Sequence, residues 1–203
     1  IREKVEEMTG EYSIQSIYTM LDSLGEDATR QILSEFSCPL NSEIESFVRH
    51  KAIDFAKQKL SVTHFMIDTE GNIVAIFTLA HKAISISADK LSATWRKKLS
   101  RFSEIDSDTG KYMVSAFLIA QFGKNLDPAL NFELPDGRTM MQSVLSILDG
   151  VQKMVGGGVI YLECENKPAL LSFYKSDANG FREFDTRLSA SDNTSYIQLL
   201  RFF

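Results

Sequence analysis

Residues 159–181 read VIYLECENKPALLSFYKSDANGF. The first six are strand-like, rich in β-branched and aromatic side chains. Pro168 suits the first turn of a helix. The helical stretch then carries Leu170, Phe173 and Tyr174 on one face, with Phe173 expected to turn into the core. Asn179-Gly180 ends it, and 181–184 begins another strand. A helix this short needs only one apolar face, so the tyrosine beside Phe173 calls for a reason.

Upstream, Met141, Val144, Leu145, Leu148, Val151 and Val155 recur at helical spacing. Thr139 and Gln142 form a capping-box pattern at the start, and Gly156-Gly157-Gly158 closes the helix. Before it stands 112–120, YMVSAFLIA, a continuous apolar run of the kind found in central strands covered on both faces. Residues 121–125 are expected to break into a loop. Strand, helix and strand from 112 to 164 predict a right-handed parallel crossover.

The rest of the chain reads as antiparallel. Residues 64–68 and 73–79 predict a hairpin about the turn 69–72, and 83–87 alternates as a further strand. Residues 181–184 and 196–203 predict a closing hairpin around Ser191, Asp192 and Asn193. The N-terminal third predicts helices: Ile14, Ile17, Tyr18, Leu21 and Leu24, then Ile44, Phe47, Val48, Ala52, Phe55 and Ala56. Asn41 and Ser42 are candidate caps, with Glu43 and Glu45 in the first turn. The fold class is therefore α/β, a mixed and mostly antiparallel sheet with a central parallel strand-helix-strand crossover. One domain is expected over 1–203, with an N-terminal helical segment at 1–40 and a helical or loop insertion at 89–108.

With 203 residues, 44% hydrophobic and 24% charged, the chain has an ordinary globular composition. A net charge of -5 gives no global basic field for nucleic acid. No apolar run is long enough to cross a bilayer, so no membrane partner is expected. Two cysteines, Cys38 and Cys164, fit a reducing cytoplasm, and His50, His64 and His81 lack metal-ligand spacing, so no metal is expected. One segment stands apart. Residues 89–101, DKLSATWRKKLSR, hold five basic residues, one acid and the only tryptophan, Trp95. Two readings stand for it: a solvated amphipathic helix anchored by Trp95, or a contact surface for a polyanion or acidic partner.

The order and wording of 41–203, and most closely of 112–181, resemble the GNAT superfamily of N-acetyltransferases. Three features carry the resemblance: FLIAQFGKN at the strand end, VIYLECE after the helix, and NKPALLSFYKSDANGF with its Asn, Ala, Phe-Tyr and Gly-Phe. The wording is most similar to Gram-positive and phage-associated bacterial members. The family's pyrophosphate loop is not matched closely. Gln121 and Gly123 stand too near each other, and the best alignment, 134–139 (LPDGRT), has Leu and Thr at the loop's outer positions.

The resemblance implies acetyl-CoA as co-substrate. Main-chain groups of Leu118, Ile119 and Ala120 would hold its pantetheine arm, and one amide would polarise the thioester carbonyl. Gln121, Gly123, Lys124 and Asn125 would lie beside the cofactor, with Lys124 and Asn125 toward the adenosine phosphates. Gly137, Arg138, Thr139, Met140 and Met141 would offer helix N-terminal amides to the diphosphate. Asn166 would bond the pantetheine amide, or else cap the helix that follows. Tyr174 would be the general acid to the leaving thiolate, or else a half-buried aromatic with a solvated hydroxyl. His81 and Glu163 are candidates for the base, and neither is singled out.

The function implied is transfer of an acetyl group to a primary amine of a small molecule or peptide. Alternatives are an enzyme acetylating a tRNA-linked amine, and a silent coenzyme-binding or interaction module. The apolar run 196–203, read as an edge strand, predicts a homodimer.

Overall fold

The computed structural model describes residues 12–128, 133–189 and 193–203. Its elements run β1 (Ser13–Ser16), α1 (Ile17–Leu24), α2 (Glu26–Ser34), α3 (Ser42–His50), α4 (Ala52–Lys57), β2 (Val62–Ile67), β3 (Ile73–Ser87), α5 (Ala93–Leu99), β4 (Ile105–Asp106), β5 (Lys111–Lys124), α6 (Gly137–Val155), β6 (Val159–Glu165), α7 (Pro168–Tyr174), β7 (Arg182–Leu188) and β8 (Ser195–Phe202). A single-turn 3-10 helix, Ala88–Lys90, precedes α5. By contact the chain forms two units, one from residues up to 80 with 120–144, the other from 81–119 with 145–203. Strands β3 and β5 run through both. The result is a mixed, mostly antiparallel sheet that includes a parallel pair, as the sequence predicts.

In the first unit, β1 pairs with β2 and β2 with β3, all antiparallel. The hairpin turn forms where Thr69-Glu70-Gly71-Asn72 predicts it. The Asp68 carboxylate accepts the amides of Glu70 and Asn72, and Gly71 takes φ +92°, a conformation natural to glycine. Ile17, Met20, Leu33 and Phe36 of the first helical segment pack with Phe47, Val48, Ile53 and Ala56 over Phe65, Ile73 and Ile76. Asn41 caps α3 as expected, its side chain accepting the amides of Glu43 and Ile44 at 3.1 Å. Ile14 is not helical. Ser16 caps α1 by accepting the Thr19 amide, which leaves Ser13–Ser16 extended and paired with β2.

In the second unit β3, β5, β6, β8 and β7 are neighbours in that order. The core gathers Ile84, Ile86, Leu99, Val114, Tyr161 and Leu200 on one face. β5 and β6 are parallel and joined through α6, the expected crossover. The segment after β3 is held down by Leu99, by Trp95 edge-on to Phe202 at 5.3 Å, and by Phe102. The Phe102 ring lies on Gly158, where an added Cβ would meet it at 2.0 Å. That position therefore needs glycine for close approach.

Several expectations are corrected. Residues 73–79 and 83–87 are one 15-residue strand. Residues 121–124 stay in β5 rather than forming a loop. The helix α6 starts at Gly137 under an Asp136 cap, not at a Thr139–Gln142 box, because the Asp136 carboxylate takes the Thr139 amide at 2.7 Å. β8 lies between β6 and β7, so its apolar residues belong to an interior strand, and the dimer argument from an apolar edge lapses. The edge is β7, REFDTRL, whose alternating charges blunt pairing with another chain. The turn expected around Ser191 and Asp192 lies outside the described residues. Among the described residues no helix is long and apolar enough to cross a membrane.

Candidate functional site

The parallel ladder of β5 and β6 is short. It joins Phe117 to Ile160, Leu118 to Tyr161 and Ile119 to Leu162, then stops. β6 runs on through Glu163, Cys164 and Glu165, which pair with β8 on its other side. Past Leu162, therefore, the β5-facing edge of β6 has no strand partner among the described residues. Main-chain donors and acceptors on such an edge need partners, and an extended ligand can supply them as an added strand.

Tyr174 ends α7 in the same unit. Its ring packs on Phe173 at 5.0 Å and Phe181 at 6.0 Å, and its carbonyl accepts the Phe181 amide at 3.1 Å. The expected burial is reversed: Tyr174 is only 7% exposed, while Phe173 is half-buried. Burial pushes the Tyr174 phenol well above its ordinary pKa, and the nearby Cys164 adds to the shift. The Cys164 thiol is itself raised to about 11, by burial first and then by Glu183 and Glu165. Both groups are thus neutral at physiological pH. Cys164 is no nucleophile, whereas Tyr174 keeps a proton it can give. Asn166 is exposed just before the α7 cap at Lys167, where no side-chain capping bond forms, so the capping alternative for Asn166 is not realised.

Glu163 is held from three sides. It accepts from Arg187 at 2.6–3.0 Å, from Gln198 at 2.9 Å, and from the Tyr161 hydroxyl in a very short bond. Burial raises its pKa, but these bonds outweigh burial and bring it down to about 2. So weak a base, with its lone pairs occupied, does not take a proton from an ammonium group. His81 is exposed and bonds Ser115 Oγ at 3.2–3.3 Å, with Phe117 edge-on at 5.4 Å. The Arg187 and Gln198 partners of Glu163 were not foreseen. No local spacing signals them, because they come from β7 and β8.

The phosphate-side residues lie in the first unit. Lys124 and Arg138 both act on Asp136 at the α6 start, so two cations gather there with the first-turn amides of Gly137 and Arg138, which have no partner among the described residues. The Thr139 amide is already taken by Asp136, and the Met140 amide by the Asp136 carbonyl. The Thr139 amide and hydroxyl, helped by Arg138 and Lys124, hold Asp136 below the usual carboxylate range. Met140 and Met141 bury their side chains in the core. Asp136 follows a proline and precedes a glycine, a cap pattern that the sequence does display. Gln121 is partly exposed, and Gly123 packs against Ile44, 3.1 Å from an added Cβ. Asn125 is buried. Its Nδ2 donates to the Ile73 carbonyl, and its Oδ1 accepts the amides of Ser37 and Asp127. Those bonds occupy its amide in holding the chain together.

No family model and no curated protein matches the sequence. Solved structures do match. AtaTR bound with acetyl-CoA aligns at TM-score 0.57 and 16% identity, over 93% of this chain and 94% of that one. A tyrosine-to-phenylalanine mutant of the AtaT toxin, bound to the antitoxin C-terminus and acetyl-CoA, aligns at 0.58 and 13%, over 95% and 93%. AtaT complexed with acetyl-methionyl-tRNA aligns at 0.56 and 13%, over 81% and 85%. The chain has the GNAT fold. The likeness covers nearly the whole chain, where the sequence resembles the family over 41–203. Within the GNAT fold, Leu118, Ile119 and Tyr174 fall in the second unit. Residues 121–125 and 137–140 fall in the first.

Proposed function

We propose that this chain is an N-acetyltransferase that moves an acetyl group from acetyl-CoA to a primary amine of a small molecule or peptide. The observation that carries the reading is the three-pair β5–β6 ladder, with a buried, protonated Tyr174 on the helix that follows β6. Acetyl-CoA supplies an activated acetyl thioester. The chain's residues meet its needs in turn. Main-chain groups of Leu118, Ile119 and Ala120 hold the extended arm, and one amide there donates to the oxygen that gains charge as the amine adds. Tyr174 gives its proton to the sulfur as the carbon–sulfur bond breaks, and regains through solvent the proton that the attacking nitrogen sheds as it becomes an amide. Burial keeps the phenol protonated at neutral pH while making it a weaker acid than a free tyrosine. In the first unit, the amides of Gly137 and Arg138 with the Lys124 and Arg138 cations are the candidate group for a diphosphate. Asp136 opposes that charge, so its carboxylate must turn away from the Thr139 amide as the diphosphate docks. Glu163 does not serve as base, and the amine loses its proton to solvent or to its own neighbours.

Fold alone does not give function, so chemistry must test the reading. Titrating acetyl-CoA by calorimetry should give one site per chain. A panel of amines should then release free thiol in proportion to acetylated product. Absence of acetyl-CoA binding overturns the reading. Binding without thiol release on any amine would instead favour a silent coenzyme-binding module.

A further inference from the structure

The exposed face of α5 is used neither by the fold nor by acetyl transfer. Arg96, Lys97, Lys98 and Arg101 are all exposed, and among the described residues none of them joins an ion pair. Lys90, just upstream, is paired with Asp185 and anchors the segment. Four unpaired cations within six residues stand out on a chain whose net charge is -5. They repel one another, and keeping them together is favourable when an anion covers them. Aromatic rings lie beside them. Lys98 Nζ sits 5.1 Å from the Phe202 ring centre, Trp95 is edge-on to the same ring, and Phe102 stacks on it at 6.5 Å. Phe102 remains 46% exposed although Gly158 supports its other side. An acidic peptide would need the cations alone. Cations set beside an open aromatic face suit phosphates joined to unstacked bases.

We infer that the α5 surface of Arg96, Lys97, Lys98, Arg101 and Phe102 is a docking site for single-stranded nucleic acid. Phosphates lie along the four cations, and a base stacks on the open face of Phe102. The site does not depend on acetyl transfer and stands or falls separately from it.

The test uses the full chain and a fluorescein-labelled oligouridylate. Anisotropy should rise on binding, and the fluorescence of Trp95, the single tryptophan, should change. With four phosphate contacts, affinity should weaken by about 50-fold between about 50 and 200 mM salt. The triple variant Arg96→Glu, Lys97→Glu, Arg101→Glu touches only exposed, unpaired side chains and should keep the wild-type melting temperature. It should lose more than ten-fold in affinity and most of the salt slope. Phe102→Leu, which keeps an apolar side chain over Gly158, should weaken the single strand and leave the salt slope unchanged. The inference is overturned if the triple variant binds as the wild type does. It is equally overturned if a duplex of the same length binds as tightly, or if polyglutamate competes on equal terms.

Discussion

Arg187 grips Glu163 with its Nη2 2.6 Å from Oε2 and its Nε 3.0 Å from both carboxylate oxygens, joining the edge strand β7 to β6. Arg187 is half exposed, so the ion pair by itself contributes little. The buried bonds to Tyr161 and Gln198 matter more. Glu163→Gln should destabilise by about 1–2 kcal/mol. Because the folded pKa, about 2, lies below the ordinary value of 4.5, this stabilisation is present above pH 4.5 and is lost as pH falls toward 2. Urea unfolding followed from pH 7 to the acid limit should show that loss in the wild type and not in the variant.

His64 behaves oppositely in kind and similarly in direction. It stacks flat on Phe77 at 5.2 Å, and its Nδ1 is buried with no bond. Burial holds its pKa at about 4, against a main-chain bond at Val62 that works the other way. The unfolded chain takes up the proton first, so stability should decline between pH 6.5 and 4, by up to about 3 kcal/mol. His64→Leu should abolish that part of the decline and cost little at neutral pH, since it also removes an unsatisfied nitrogen. Thermal melts at pH 7 and pH 4.5 separate this limb from that of Glu163.

Tyr174→Phe keeps the ring contacts to Phe173 and Phe181. In an active preparation kcat should fall by about 100-fold, with little change in acetyl-CoA affinity. The raised phenol pKa also fixes a sign: the acid stays protonated as pH rises, so wild-type kcat should not decline on the alkaline side before about pH 10. A Tyr174→Phe enzyme that turns over at the wild-type rate would remove Tyr174 from the mechanism proposed above.

Asp136→Asn retains a capping oxygen for the Thr139 amide but removes a negative charge from the α6 start. If the diphosphate docks there, acetyl-CoA should bind several-fold more tightly at low salt, and Lys124→Ala should weaken it. Calorimetry of both variants measures this. Unchanged affinity in both would place the diphosphate elsewhere.

The crossover was legible because its parts speak locally: an apolar strand, a 3.6-residue period from Met141 to Val155, glycines, then another strand. Strand length was not. β5 keeps its ladder through polar Gln121 and Lys124, and even the Asn125 amide bonds the Val74 carbonyl at 2.9 Å, because main-chain pairing ignores side-chain type. Asn125 shows the same limit in the site. Its sequence neighbourhood suggested a ligand contact, and the fold gives it three main-chain partners instead. Phe173 and Tyr174 sit side by side, and helical spacing cannot rank their burial. Contacts with Cys164 and Phe181, residues from other elements, decide it.

Each of the two units draws on two separated stretches of chain, and the stretches alternate along the sequence. A single cut near residue 130 would leave the first core whole on one fragment and part Ile84, Leu99 and Val114 of the second core from Tyr161 and Leu200. The second core should then form only when the two fragments are mixed, so split-protein complementation is built into the way the chain is threaded.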